Sequence, residues 1–153
     1  MRDAFGGIMN IVLIALFLII VEGILGLTVN YSKAFRMKNY VIATIEQYEG
    51  NAGCFTSSSC GGKKCCKERI KQRAKEISYA PTDLNCHTGY TNVDGLFCYK
   101  RLATENDKYN ASEYAAYRII TQVDINIPII NKIMGLEFFQ VGGDTRMIKH
   151  NVG

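Results

Sequence analysis

The sequence predicts an α+β fold. One long N-terminal helix, hydrophobic and then amphipathic, packs against a small antiparallel β-sheet, with a Cys-rich loop and a second helix between them. Three observations predict it. Residues 8–29 read IMNIVLIALFLIIVEGILGLTV, an unbroken apolar run. Ala34, Met37, Val41, Ile45 and Tyr48 then recur at spacings of three, four, four and three, one stripe of a helix. Near the C-terminus, Val123, Ile125 and Ile127 alternate with Gln122, Asp124 and Asn126, the period of a strand.

The first helix is expected over residues 8–49, since neither Pro nor Gly interrupts 28–49 and Gly50, Asn51 and Gly53 then end it. Its apolar part, at a rise of about 1.5 Å per residue, covers about 33 Å, enough to cross the hydrocarbon core of a bilayer. Residues 1–50 therefore form a membrane-spanning or assembly helix, and 51–153 a small disulfide-containing extracellular domain.

Residues 51–66 are small, polar and rich in Cys, a surface loop. A second helix is expected over 63–79, with Cys66, Ile70, Ala74 and Ile77 inside and Lys67, Lys71 and Lys75 on a solvated face. Ala80 and Pro81 end it. Asp94-Gly95 is a tight-turn signal and 96–102 is rich in β-formers, so a hairpin follows. Residues 104–112 read as a polar loop. The alternation around Val123 predicts a half-buried strand with one wet face, and Pro128 stands at its edge or end. A second strand is expected at 136–141, a turn at Gly142-Gly143-Asp144, and a third strand at 145–149.

Glu22 is the only charged residue between Ala4 and Ser32. A carboxylate at membrane depth costs about 2.5 kcal/mol or more, so it faces a partner or reaches toward the headgroups. Ala15, Leu18, Glu22, Gly26 and Val29 share one helix face, and Gly23 adjoins it. Small residues there let a second helix approach closely. Ala15, Glu22, Gly23 and Gly26 are therefore the assembly candidates, with a neighbouring backbone, Lys33 or Arg2 as possible partners of Glu22.

The start of the chain fits an uncleaved membrane anchor better than a secretory signal, because Arg2 is balanced by Asp3 and no small-x-small cleavage site follows the run. Lys33, Arg36 and Lys38 after the span favour a cytoplasmic end. Six cysteines favour an oxidising space, and we give them the greater weight. The net charge of +4 is too mild, and lacks the stacking and base-reading groups, to indicate nucleic-acid binding. Asn30 and Asn110 each begin the Asn-x-Ser glycosylation pattern.

The disulfide candidates are Cys54, Cys60, Cys65, Cys66, Cys86 and Cys98, and six cysteines allow about fifteen pairings. Cys86 and Cys98 flank the hairpin, and Cys54–Cys60 with Cys86–Cys98 is the preferred pairing. Zinc binding by the crowded thiols and His87 is the lesser reading, because no CxxC pair exists. His87 and His150 are the only histidines, and no nucleophile motif, phosphate loop or paired carboxylates accompany them. The expectation is no catalytic residue, no metal, no cofactor and no enzyme.

An apolar N-terminal helix with an acid near its end (LIIVEG, 18–23), running into an amphipathic helix, resembles the TadE-like pilins of tight-adherence pili. VDINIPIINKIMGLEFFQVGGDTRM, 123–147, resembles that family's closing pattern of strand, Pro-containing turn, strand and small-residue segment. The resemblance implies a pilin-like structural subunit, anchored in the membrane and then assembled with copies of itself or other pilin subunits into a cell-surface filament. The alternative expectation is a monomeric membrane-anchored extracellular binding or adhesion domain.

Overall fold

The computed structural model describes residues 2–48, 66–102, 114–125, 132, 135 and 137–149, with side chains from residue 7 onward. The first helix, α1 (Arg2–Gln47), is continuous through the apolar run and the amphipathic stripe. At 46 residues it is about 69 Å long. A second helix, α2 (Cys66–Glu76), follows the Cys-rich segment. Five strands complete the fold: β1 (Thr91–Val93), β2 (Phe97–Leu102), β3 (Tyr114–Asp124), β4 (Phe138–Asp144) and β5 (Ile148–Lys149). The sheet is antiparallel in the order β1-β2-β3-β4, and β5 pairs with the opening residues of β3.

Burial on α1 begins where the apolar run ends. Ala34, Met37, Val41 and Ile45 are buried, and Tyr48 packs beside them. They meet Ala115, Tyr117, Ile119 and Val123, the odd-numbered face of β3, and Cys66, Ile70 and Ala74 from α2 complete this core. The Thr121 hydroxyl donates to the Ala34 carbonyl at 3.2 Å, tying sheet to helix.

The hairpin expected around Asp94-Gly95 is present. Asp94 and Gly95 have φ of 51° and 69°, the left-handed values that a tight mirror-image turn requires. Asn92 Oδ1 accepts from the Gly95 amide at 2.8 Å. Lys67 and Lys71 both reach the Asp94 carboxylate at 3.0 Å. Two lysines expected to be merely solvated thus fasten α2 to the turn, and their hydrogen bonds hold the Asp94 carboxyl low although burial works to raise it.

Two expectations about the sheet are corrected. First, β3 has no wet face through its centre. Residues 119–123 are all buried, including Gln122 at 1% exposure. The segment after α2 crosses the second face, where Leu84 packs with Cys98 and Ile120, and Cys86 and Tyr90 lie against them. Alternation reports the chemistry of one strand and is blind to a loop that covers its polar side.

Second, Gly142-Gly143-Asp144 is strand and not turn. Gly142 pairs with Ile120, Gly143 with Ile119 and Asp144 with Arg118. The reason is close approach to the helix: a Cβ on Gly143 would stand 3.1 Å from Ile42 Cδ1 and from Lys38 Cδ. The chain then slips by one residue. Arg118 pairs with Asp144 but Ala115 with Ile148, so 145–147 form a bulge. Within it the Thr145 hydroxyl accepts from the Tyr117 amide and the Thr145 amide donates to the Tyr117 carbonyl, both at 2.9 Å.

Candidate assembly and membrane surface

Over residues 7–20 every residue of α1 is exposed, and the head meets the apolar run only near its end, where Leu27 packs against the core. A window of membrane-spanning length within Gly7–Gln47 has no buried residue. Ile11 is 69% exposed and Phe17 65%, and Val29 still 53%. Exposed aliphatic surface of this extent is not stable in water and implies a membrane or an oligomer as partner.

Ala15, Glu22 and Gly26 lie on one face of α1, all exposed, while Gly23 is turned about 100° away and half-buried. Nothing lies within 4 Å of a Cβ built on Gly26. Glu22 makes no hydrogen bond or ion pair among the described residues, so Lys33 of the same chain is not its partner.

Beyond the span, the open side of β3 past the start of β2 is closed by side chains. Tyr79 lies buried there, and its hydroxyl donates to the Gln122 carbonyl at 3.1 Å and accepts from the Gln122 amide at 3.0 Å. Burial pushes the Tyr79 hydroxyl up to about 12. The Asn30 side chain, one residue past the apolar run, donates to the Asp124 carbonyl at 3.0 Å. Asn30 therefore serves as a structural link, whatever its match to a glycosylation pattern; Asn110 lies outside the described residues. Gln122 Nε2 in turn holds Thr82 O at 2.6 Å and Asp124 Oδ1 at 2.8 Å.

Next to Asn30 is an aromatic group that sequence reasoning missed. Tyr31 stacks on Phe35 at 6.1 Å between centroids and on Phe139 at 6.2 Å. Lys38 Nζ lies 4.4 Å from the Phe35 ring centroid and donates to the Gly142 carbonyl at 3.4 Å. The i, i+4 spacing of Tyr31 and Phe35 just outside the span was a legible signal; Phe139 was not.

No protein family, curated protein or solved structure matches this chain. The functional reading therefore rests on architecture. A long apolar N-terminal helix packs its second half on an antiparallel sheet, which is a pilin-like arrangement.

Of the cysteine candidates, Cys86 and Cys98 are joined across the second face of the sheet, as preferred. Cys66 is disulfide-bonded, and no described cysteine is free. Cys54, Cys60 and Cys65 lie outside the described residues, and so does the Cys54–Cys60 pairing. Among the described residues no group of three or more His, Cys, Asp or Glu side chains is placed to hold a metal. The apolar span and the disulfide together point to membrane association or to a location outside the cytoplasm.

The far end of the head is fastened by ion pairs. Arg146 bonds Glu46 of α1 at 3.0 Å through its amide and 3.1 Å through its guanidinium, which hold the Glu46 carboxyl low. Arg118 grips Asp144 with two bonds of 2.7 Å, lowering the Asp144 carboxyl.

Proposed function

We propose that this chain is a structural, non-enzymatic subunit of a bacterial cell-surface filament of the tight-adherence, type IV-like kind. It is a TadE-like pilin, held in the membrane until it assembles with copies of itself or with other pilin subunits. The carrying observation is the contrast along one helix. α1 is buried against the sheet at Ala34, Met37 and Val41 yet exposed on every side over residues 7–20 of the apolar run before them.

Helix association in lipid rests on close packing and on polar contacts, because lipid tails are as apolar as Leu. Ala15 and Gly26 supply the first and Glu22 the second. An unpaired acid at that depth costs about 2.5 kcal/mol or more, so a neighbouring subunit that pairs with Glu22 gains affinity and fixes register. The disulfide-stapled head faces outward from such a filament.

The test is electron microscopy of sheared surface material, with peptide identification, from cells making the wild type or Glu22→Leu. The chain is expected in wild-type filaments. The variant is expected to be made and inserted but to give few filaments. Normal filaments in the variant would overturn the register role; absence of the chain from any filament would overturn the filament reading itself. The alternative, a monomeric anchored adhesion domain, predicts that a polyleucine span in place of residues 8–29 changes nothing.

A further inference from the structure

We infer that the membrane-side rim of the head seats in the headgroup layer of a zwitterionic phospholipid bilayer before assembly. Tyr31, Phe35 and Phe138 enter the layer, and Lys33 and Arg36 stand among its phosphates. The inference rests on reading α1 as the membrane span and adds the partner of the head domain to it.

Two links place Phe138 at the exit of the span. Asn30 is the first residue past the apolar run, and its side chain bonds the Asp124 carbonyl at 3.0 Å. Asp124 pairs directly with Phe138 across the sheet. The tip of the sheet is therefore level with the first polar residue of α1.

The exposed apolar groups of the head concentrate at this level. Beyond the span the large exposed hydrophobics among the described residues are Tyr31 at 43%, Phe35 at 41%, Phe138 at 39% and Met147 at 41%. Three of the four belong to the rim. Met147 lies at the opposite end, beside the Arg146–Glu46 pair. From Asn30 to Phe35 the helix rises about 8 Å, and a headgroup layer is about 5–8 Å thick. Aromatic side chains with an apolar body and one wet edge favour that layer.

Charge selects the lipid. Lys33 and Arg36 follow the span on α1, while Asp83, Asp124 and Glu137 line the sheet side of the rim, and none makes an ion pair among the described residues. A rim with both signs unpaired complements a layer that carries phosphate and ammonium together. A strongly anionic surface would repel the three carboxylates.

The chain has no Trp, so single Trp reporters read depth without background. The full chain is reconstituted in phosphatidylcholine–phosphatidylethanolamine vesicles as F138W, M147W and L18W. Lipids brominated either high on the acyl chain or near the midplane serve as quenchers. L18W is expected to be quenched best from the midplane, F138W several-fold better from the shallow position, and M147W by neither. Y31W, on the helix, gives the rim reading without substituting a strand residue. Quenched L18W with unquenched F138W and Y31W overturns the seating and leaves the span intact. Unquenched L18W overturns the membrane reading beneath it. Equal quenching of F138W and M147W means the head lies flat and also overturns the inference. So does a blue shift of F138W that grows with protein density and not with lipid, because a second copy then covers the rim.

Discussion

The phenolic oxygen of Tyr79 lies between the amide and the carbonyl of Gln122, 3.0 Å from one and 3.1 Å from the other. β2 does not reach this far along β3, and the Tyr79 hydroxyl stands in for the strand that is missing. Tyr79→Phe keeps the ring and leaves both buried backbone groups of Gln122 unpaired. Each such loss costs about 1–3 kcal/mol, so a total of about 2–6 kcal/mol is expected from denaturant titration of wild type and variant.

The same contact predicts a loss of stability at alkaline pH. Burial raises the folded Tyr79 hydroxyl to about 12, above the value of about 10 for an unfolded Tyr. The contribution is whole below about pH 10 and is lost as pH rises from about 10 to 12, with a slope of at most about 1.4 kcal/mol per pH unit. The wild type is expected to show this decline and Tyr79→Phe to lack it. Parallel curves for the two proteins would remove Tyr79 as the cause.

The Cys86–Cys98 bridge closes a short loop, with a sequence separation of 12. A loop of that size stabilises by about 3 kcal/mol through the unfolded chain. The double variant Cys86→Ser/Cys98→Ser is expected to lose about that much. The segment with Leu84 and Cys86 is also expected to loosen over Ile120. Amide exchange at Gln122, which that segment and Tyr79 shield, should then quicken more than exchange at Val41 in the other core.

What could be read from the sequence followed from local signals. The apolar run, the stripe from Ala34 to Tyr48 and the Asp94-Gly95 turn each encode their element in adjacent residues, and each is found as expected. The misreadings at Gln122 and Gly143 share one cause. Both residues carry a local signal, polar alternation in one case and a Gly-Gly pair in the other. Both are overridden by a partner far away in the chain, Tyr79 for Gln122 and Lys38 with Ile42 for Gly143. The face with Ala15, Glu22 and Gly26 was legible because helix geometry alone defines it. The rim was only half legible, since Phe138 reaches it through the pairing of β4 with β3.

Gly143 provides a direct check on the close approach of α1. It faces the helix, whereas Gly142 faces away and a Cβ there meets only the Ile119 carbonyl, at an ordinary 3.8 Å. Gly143→Val is expected to destabilise by about 1–3 kcal/mol, as overpacking does. Gly142→Val fills open space on a strand and is expected to be close to neutral. Denaturation midpoints of the two variants decide it, and equal effects would mean that the helix does not press on β4.

Gly26→Leu separates folding from assembly. A Cβ at Gly26 meets nothing within 4 Å, and the position lies outside the core that holds α1 to the sheet. The variant head is therefore expected to keep its wild-type denaturation midpoint, and the helix to insert as before. A Leu at that position blocks the close approach that a small residue permits on the face shared with Ala15 and Glu22. Filament yield is expected to fall severalfold while membrane content stays constant. Gly26→Ala, which keeps a small side chain, should restore most of it. Wild-type filament yield from Gly26→Leu would show that this face of α1 does not meet a neighbouring helix.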